Sequence, residues 1–316
     1  MRSLILSALI CLFVSLSGAD LVPARLSLQQ GRDERGYTIA VDVDVAIFNV
    51  TVTDPRGRHV SGLKRSDFQI YEEKRLQDIT LFNAEDVPAS VGFIIDNSGS
   101  MHNKRAAVAK AALAFVDSSN SEDEMFVVNF NEKVYQGLPP EIRFTNDPDQ
   151  IRSALLRTAP VGLTALYDAL GVGIEHLKTG TRDRKALVVL SDGGDNASRR
   201  PLEDVLQIAQ RSSATIYTIG IYDDTDPDRN PRVLQKIARL TGGRAYFPDS
   251  FNDLEQVWRD VAGAIRSQYT IGYRSSNPKR DGMFRNVKIT ANPKGRRGLR
   301  VTTRAGYFAP ADKSIP

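Results

Sequence analysis

Two stretches of the chain set oxygen-bearing side chains at alternate positions directly after apolar runs. Asp96-Asn97-Ser98-Gly99-Ser100 follows Val91–Ile95, and Ser191-Asp192-Gly193-Gly194-Asp195 follows Ala186–Leu190. A third segment, Gly162-Leu163-Thr164, lies between them and precedes a helix-like stretch. Asp96, Ser98, Ser100, Thr164 and Asp192 together supply two carboxylates and three hydroxyls. A hard divalent cation such as Mg²⁺ takes oxygen ligands and keeps part of its water. The lack of sulfur and nitrogen donors disfavours softer metals, leaving Mn²⁺ and Ca²⁺ as the alternatives. Gly99 gives the backbone the freedom to fold so that alternate side chains converge. Capping of the following helix by Asp and Ser accounts for the Asp96 segment, but not for Thr164 and Asp192 as well.

Catalysis at such a cation needs a general base or nucleophile beside it. Asp195 and Asp168 are the candidates. Asp195 reads more simply as a turn or cap residue. Asp168, four residues after Thr164, is placed to support the Thr164 loop. His59, His102 and His176 are widely separated, and the chain has one Cys. No HExxH, CxxC or Walker A pattern occurs, which removes the usual zinc-protease, redox and P-loop readings. His102 belongs on the rim of the Asp96 loop and His59 on an exposed loop.

The elements that must position these residues follow a strand–helix alternation. Val91–Ile95 and Ala186–Leu190 are continuous apolar runs, the pattern of strands buried on both faces. Met125–Phe130, Ile216–Ile221 and Ala245–Phe247 add further strands. Helical spacing marks Asn103–Ser118, Pro148–Arg157, Ala165–Lys178, Leu202–Ser212, Pro231–Thr241 and Leu254–Ser267, with Trp258 and Val261 on a core face. This order predicts an α/β fold, a doubly wound and mostly parallel sheet over residues 89–268. In such sheets ligands bind beyond the carboxyl ends of the strands, where Asp96 and Asp192 lie.

Both flanks read as β. Residues 20–88 alternate apolar and polar positions at Ile39–Val45 and at Phe48-Val50-Val52, with short strands at Phe68–Ile70 and Ile79–Leu81. Residues 269–316 hold strands at Tyr269–Tyr273, Phe284–Ala291 and Leu299–Phe308. Neither end alone has enough strands to bury two sheet faces, so the expectation is one β-sandwich-like domain built from both ends. The basic residues Lys294, Arg296, Arg297, Arg300 and Arg304 read as a solvated turn, contact with an acidic surface being the alternative.

Residues 1–19 have the form of a secretory signal peptide: Arg2, an apolar run over Leu4–Leu16, then Ser17-Gly18-Ala19. The run is shorter than the ~18 residues of a membrane-spanning helix. The expectation is an exported chain, periplasmic or extracellular, with no transmembrane segment after cleavage. Loss of Cys11 with the leader would leave it free of cysteine. With 316 residues, 41% hydrophobic and 25% charged, the composition is that of a globular protein with a sizeable core. Lys plus Arg exceeds Asp plus Glu by only 42 to 38, too thin an imbalance for a nucleic-acid partner.

Asp96-x-Ser98-x-Ser100, with Thr164 and Asp192 downstream, resembles the metal-ion-dependent adhesion site of von Willebrand factor type A domains. Asp96-Asn97-Ser98-Gly99-Ser100-Met101 and Thr164-Ala165-Leu166-Tyr167-Asp168-Ala169-Leu170 look like bacterial members, over about Pro88 to Gln268. The flanks, through Asp67-Phe68 and Arg304-Ala305-Gly306-Tyr307, resemble a bacterial secreted subfamily. Leu163 departs from the pattern, since many relatives have Gly before the Thr. The resemblance implies a Mg²⁺ held by Asp96, Ser98, Ser100, Thr164 and Asp192, partly through water, with an open position filled by a carboxylate of a protein partner. Three neutral hydroxyls leave the cation electrophilic, which suits binding rather than catalysis. A scaffold subunit of an envelope complex, with the metal stabilising the loops, is the alternative; a metal-assisted hydrolase is the remoter one.

Overall fold

The computed structural model describes residues 45–221 and 229–311. The expected leader, the strand predicted over 39–44 and the last five residues lie outside the described residues. No helix among the described residues is long and apolar enough to cross a membrane.

The chain enters through β1 (Val45–Thr53), β2 (Phe68–Glu72), β3 (Arg75–Gln77) and β4 (Ile79–Asn83). The α/β block follows: β5 (Ala89–Asp96), α1 (Arg105–Ser118), β6 (Glu124–Phe130), β7 (Val134–Gln136), α2 (Pro148–Leu155) and α3 (Leu166–Leu177). It continues through β8 (Arg184–Ser191), α4 (Leu202–Arg211), β9 (Thr215–Gly220), α5 (Pro231–Leu240), β10 (Ala245–Tyr246) and α6 (Leu254–Arg266). The chain closes with β11 (Tyr269–Arg274), β12 (Phe284–Ala291), β13 (Arg300–Thr302) and β14 (Gly306–Phe308).

The α/β block is a six-stranded sheet in the order β10-β9-β8-β5-β6-β7, parallel except for β7, which turns back antiparallel on β6. Helices cover both faces, so every residue of β5 is buried. Gly92 in that strand makes room for its neighbours: a Cβ there would run into the Phe126 ring and Leu187. Asp147 and Asn230 cap α2 and α5 through their side chains, each followed by Pro at the first turn. On one face Phe93, Phe115 and Trp258 pack as an aromatic triad with centroids 5.2–5.9 Å apart. Trp258 and Val261 are both fully buried.

The two chain ends pair with each other. One sheet runs β13-β1-β11-β4 and the other β14-β12-β2-β3, and their inner faces share a second hydrophobic core. Phe48, Val50 and Val52 point into that core, while Ile47 on the opposite face of β1 lies in register with Gly272, itself in register with Leu81. Its polar centre is Glu72, 3% exposed. Glu72 accepts hydrogen bonds from Tyr273 Oη (2.7 Å), Tyr307 Oη (3.0 Å) and Ser275 Oγ (2.6 Å) and pairs with buried Arg285.

Three features depart from the sequence expectation. The single strand predicted over Leu299–Phe308 is two, β13 and β14, in different sheets. The chain crosses between them at Arg304, whose guanidinium donates to the Ile47 carbonyl (2.7 Å) and the Ser212 carbonyl (3.4 Å) and lies 4.8 Å from the Phe48 ring centroid. Arg304 is therefore a tether between sandwich and α/β block, not part of a solvated turn. His59 is half-buried and bridges to Thr53 rather than lying free on a loop.

At the junction, buried Arg184 at the start of β8 donates to the Ile265 and Gln268 carbonyls, both at 3.0 Å. It thereby satisfies the end of α6 where the chain passes into β11.

Candidate metal centre

β5 and β8 are parallel neighbours in register, with Ile95 opposite Leu190. Their last residues therefore emerge side by side at one sheet edge. Ser191 Oγ donates to Asp96 Oδ2 at 2.7 Å, and the Ser98 amide donates to Asp96 Oδ1 at 2.8 Å, closing an Asx turn. Ser98 Oγ and Ser100 Oγ are 3.1 Å apart, and Ser100 Oγ donates to Asp192 Oδ2 at 2.7 Å. The structure thus brings Asp96, Ser98, Ser100 and Asp192 into one hydrogen-bonded cluster. Asp96, Ser98 and Asp192 are each 2% exposed, while Ser100 faces solvent.

Thr164 is held beside them through its backbone. The Gly99 amide donates to the Gly162 carbonyl (3.1 Å) and the Val161 amide to the Asn97 carbonyl (3.0 Å), which lays the 161–164 loop against the Asp96 loop. The Thr164 amide donates to Asn196 Oδ1 at 2.8 Å, and its carbonyl accepts from the amides of Asn196 and Ala197. The loop turns at Gly162, with φ +82°, where a Cβ would collide with the Glu132 carboxylate. Leu163 points outward at 53% exposure, so the residue that departs from the family pattern does not occupy the centre of the cluster.

Burial and the nearby Asp192 charge push the Asp96 carboxyl up to about 6, against the pull of its bonds to Ser98 and Ser191. Asp96 forms no ion pair among the described residues. Two buried carboxylates acting on each other, with hydroxyls around them, are a donor set that a hard divalent cation fits. No cluster of three or more His, Cys, Asp or Glu side chains arranged for a metal occurs among the described residues, so softer or carboxylate-rich centres have no counterpart there.

The other candidates have structural partners. Asp195 Oδ1 accepts from the Tyr167 amide at the start of α3 (3.1 Å) and from Ser198 Oγ (2.6 Å). The Asp168 carboxylate accepts from the Arg199 and Arg200 amides, and so braces the 199–200 segment instead of the Thr164 loop. His102 is exposed. Two residues that sequence reasoning did not single out hold the site: Ser191, bonded to Asp96, and Asn196, which orients Thr164. Both lie within the Ser191–Asn196 string. Lys104, buried at 3% exposure, donates from Nζ to the Ile221 carbonyl at 3.3 Å.

A parallel sheet with helices on both faces, with Asp96-x-Ser98-x-Ser100, Thr164 and Asp192 gathered at its carboxyl edge, defines a von Willebrand factor type A domain. The family model for that domain matches residues 90–260, a little over half of the chain, and the chain belongs to this family. Among solved structures it resembles a von Willebrand factor type A protein from Catenulispora acidiphila, at 16% identity over 85% of this chain and 74% of that one, with a TM-score of 0.51. The vWF domain of the type V pili tip protein Mfa5 from Porphyromonas gingivalis is similar at 16% identity, over 58% of this chain and 96% of that one, with a TM-score of 0.46. An aerotolerance-related membrane protein from Bacteroides fragilis is similar at 16% identity, over 57% and 98%, with a TM-score of 0.45. Likeness at this identity speaks to fold alone. No curated protein matches in sequence.

Proposed function

We propose that the α/β domain is a non-catalytic interaction module that binds a protein partner through a Mg²⁺ held by Asp96, Ser98, Ser100, Thr164 and Asp192. The observation that carries this reading is the link from Asp96 through Ser98 and Ser100 to Asp192, which places two buried carboxylates behind a solvent-facing hydroxyl. A bound cation supplies a Lewis-acidic position for an anionic oxygen from outside, and an Asp or Glu of the partner is the fitting ligand. The domain's own residues fix the three loops and exclude water from the carboxylates. Asp195 and Asp168 accept backbone hydrogen bonds in structural positions, which supports binding over turnover. The leader expected over residues 1–19 supports an exported protein, acting in a periplasm or outside the cell.

The test is capture of envelope and secreted proteins on the full chain in Mg²⁺ and again in EDTA. A partner retained only with Mg²⁺, and lost in Asp96→Ala, supports the proposal. Partners indifferent to EDTA overturn it and move recognition to the sandwich, with the metal left as a loop stabiliser in a scaffold.

A further inference from the structure

A cavity of about 250 Å³ opens where the sandwich meets the β10 edge of the large sheet. Thr53, His59, Arg300 and Thr302 line it from the sandwich, and Tyr217 and Arg244 from the α/β block. It lies away from the metal centre: Gly242 and Gly243 in its wall precede β10, whereas Asp96 is the last residue of β5 and Asp192 follows β8.

The charge of the lining is one-sided. Arg244, Arg300 and His59 border the cavity, and among the described residues no Asp or Glu lines it. Asp260 on α6 acts on His59 from outside the lining, and Arg244 opposes it. Thr53, in register with Arg300, and Thr302, on the same strand as Arg300, line the cavity with it. The Arg244 guanidinium is steered by the Tyr246 ring, 4.9 Å from its centroid. His59 Nδ1 is buried with no hydrogen-bond partner among the described residues, an arrangement that native structures resolve with a water or a ligand.

The walls are built for close approach. A Cβ on Gly243 would collide with the Ile216 carbonyl, and Gly242 has φ +77° against the Thr303–Arg304 backbone. The Thr53–His59 bridge fixes the opposite wall. The volume equals about eight waters at ~30 Å³ each, below the usual range for drug-sized ligands. Buried Tyr217, Tyr246 and Ala264 give part of the lining an apolar surface.

We propose that this junction cavity binds a small organic anion, one carboxylate or phosphate head on a compact apolar body, with Arg244 and Arg300 receiving the head and the tyrosine wall the body. Because the lining comes from both chain ends and from the α/β block, an occupant bridges the two.

The experiment is calorimetric titration of the full chain with benzoate and with phenyl phosphate, benzyl alcohol serving as the neutral counterpart. At least one anion is expected to bind saturably, with benzyl alcohol about tenfold weaker or worse, and with Arg300→Gln and Arg244→Gln each losing about tenfold. Thr302→Val, which keeps the side-chain shape, is expected to lose affinity as well, guarding against a folding artefact in the arginine variants. Asp96→Ala is expected to bind as the wild type does, which separates this site from the metal centre. Equal affinity for benzyl alcohol, equal affinity for inorganic phosphate alone, unchanged affinity in both arginine variants, or no saturable binding of either anion up to ~10 mM would each overturn the proposal.

Discussion

Ser100 Oγ donates to Asp192 Oδ2 at 2.7 Å across 92 residues of chain. That bond joins the loop after β5 to the loop after β8. It can form because the two strands are parallel neighbours whose ends emerge together. Breaking it from either side therefore tests the assembly of the site.

Asp192→Ala is expected to remove the response of stability to Mg²⁺. A ligand at about 100 times its Kd stabilises the state that binds it by ~2.7 kcal/mol. Wild-type Tm should thus rise by several degrees on adding Mg²⁺ and fall back in EDTA, while the variant stays flat in both. A variant that still responds would place the cation elsewhere.

Glu72→Ala is expected to destabilise the sandwich by ~2–3 kcal/mol, because it removes a buried acceptor and one of the two carboxylates beside Arg285, which keeps Asp281 at 3.2 Å. Two tyrosine hydroxyls and Ser275 lose their acceptor in the same step. Equilibrium urea unfolding checks this; a change under ~1 kcal/mol would mean the network relaxes around the loss.

Arg304→Ala is expected to cost ~2–3 kcal/mol, through loss of charged hydrogen bonds to two carbonyls and of the contact with the Phe48 ring. Since one carbonyl belongs to β1 and the other to the segment after α4, unfolding should also become less cooperative. Two resolved calorimetric transitions in the variant, against one in the wild type, would display this.

His59 supplies the pH dependence. Burial holds its imidazole below its ordinary 6.5, with Arg244 acting in the same direction and Asp260 against it. The folded protein thus binds a proton less readily than the unfolded chain. The stability associated with neutral His59 is fully present above about pH 6.5 and is lost as pH falls through the lowered folded value. The wild type should lose more Tm between pH 7 and pH 5 than His59→Gln does. Equal losses would show that His59 titrates normally.

Gly306→Ala is expected to abolish the pairing of β14 with β12, because the added Cβ would strike the Arg285 carbonyl. The collision is with backbone, so no side-chain rotation relieves it. A marked rise in amide exchange at Val287, whose amide donates to the Ala305 carbonyl beside that pairing, is the readout.

Much of the architecture was legible in the linear sequence because local rules govern it. Period two in Phe48-Val50-Val52, the continuous apolar runs of β5 and β8, and Asp-Pro or Asn-Pro starts of α2 and α5 each depend on near neighbours only. β3 and β7 escaped because three residues carry no readable period. The candidate ligands were legible for a similar reason, each standing at the end of a periodic element.

What the linear sequence determined alone is the alternation that makes the α/β block and the residue types in the three loops. Tertiary structure decided which of these meet. Strand order sets Asp96 beside Ser191 and Ser100 beside Asp192, and no local pattern encodes strand order. The same holds for Arg304, drawn from an apparently solvated basic run into the junction, and for His59, turned from a loop residue into the wall of a cavity. Burial, charge and hydrogen-bond partners of a side chain belong to its neighbours in space, and those are settled only when the chain ends pair across more than 200 residues of sequence.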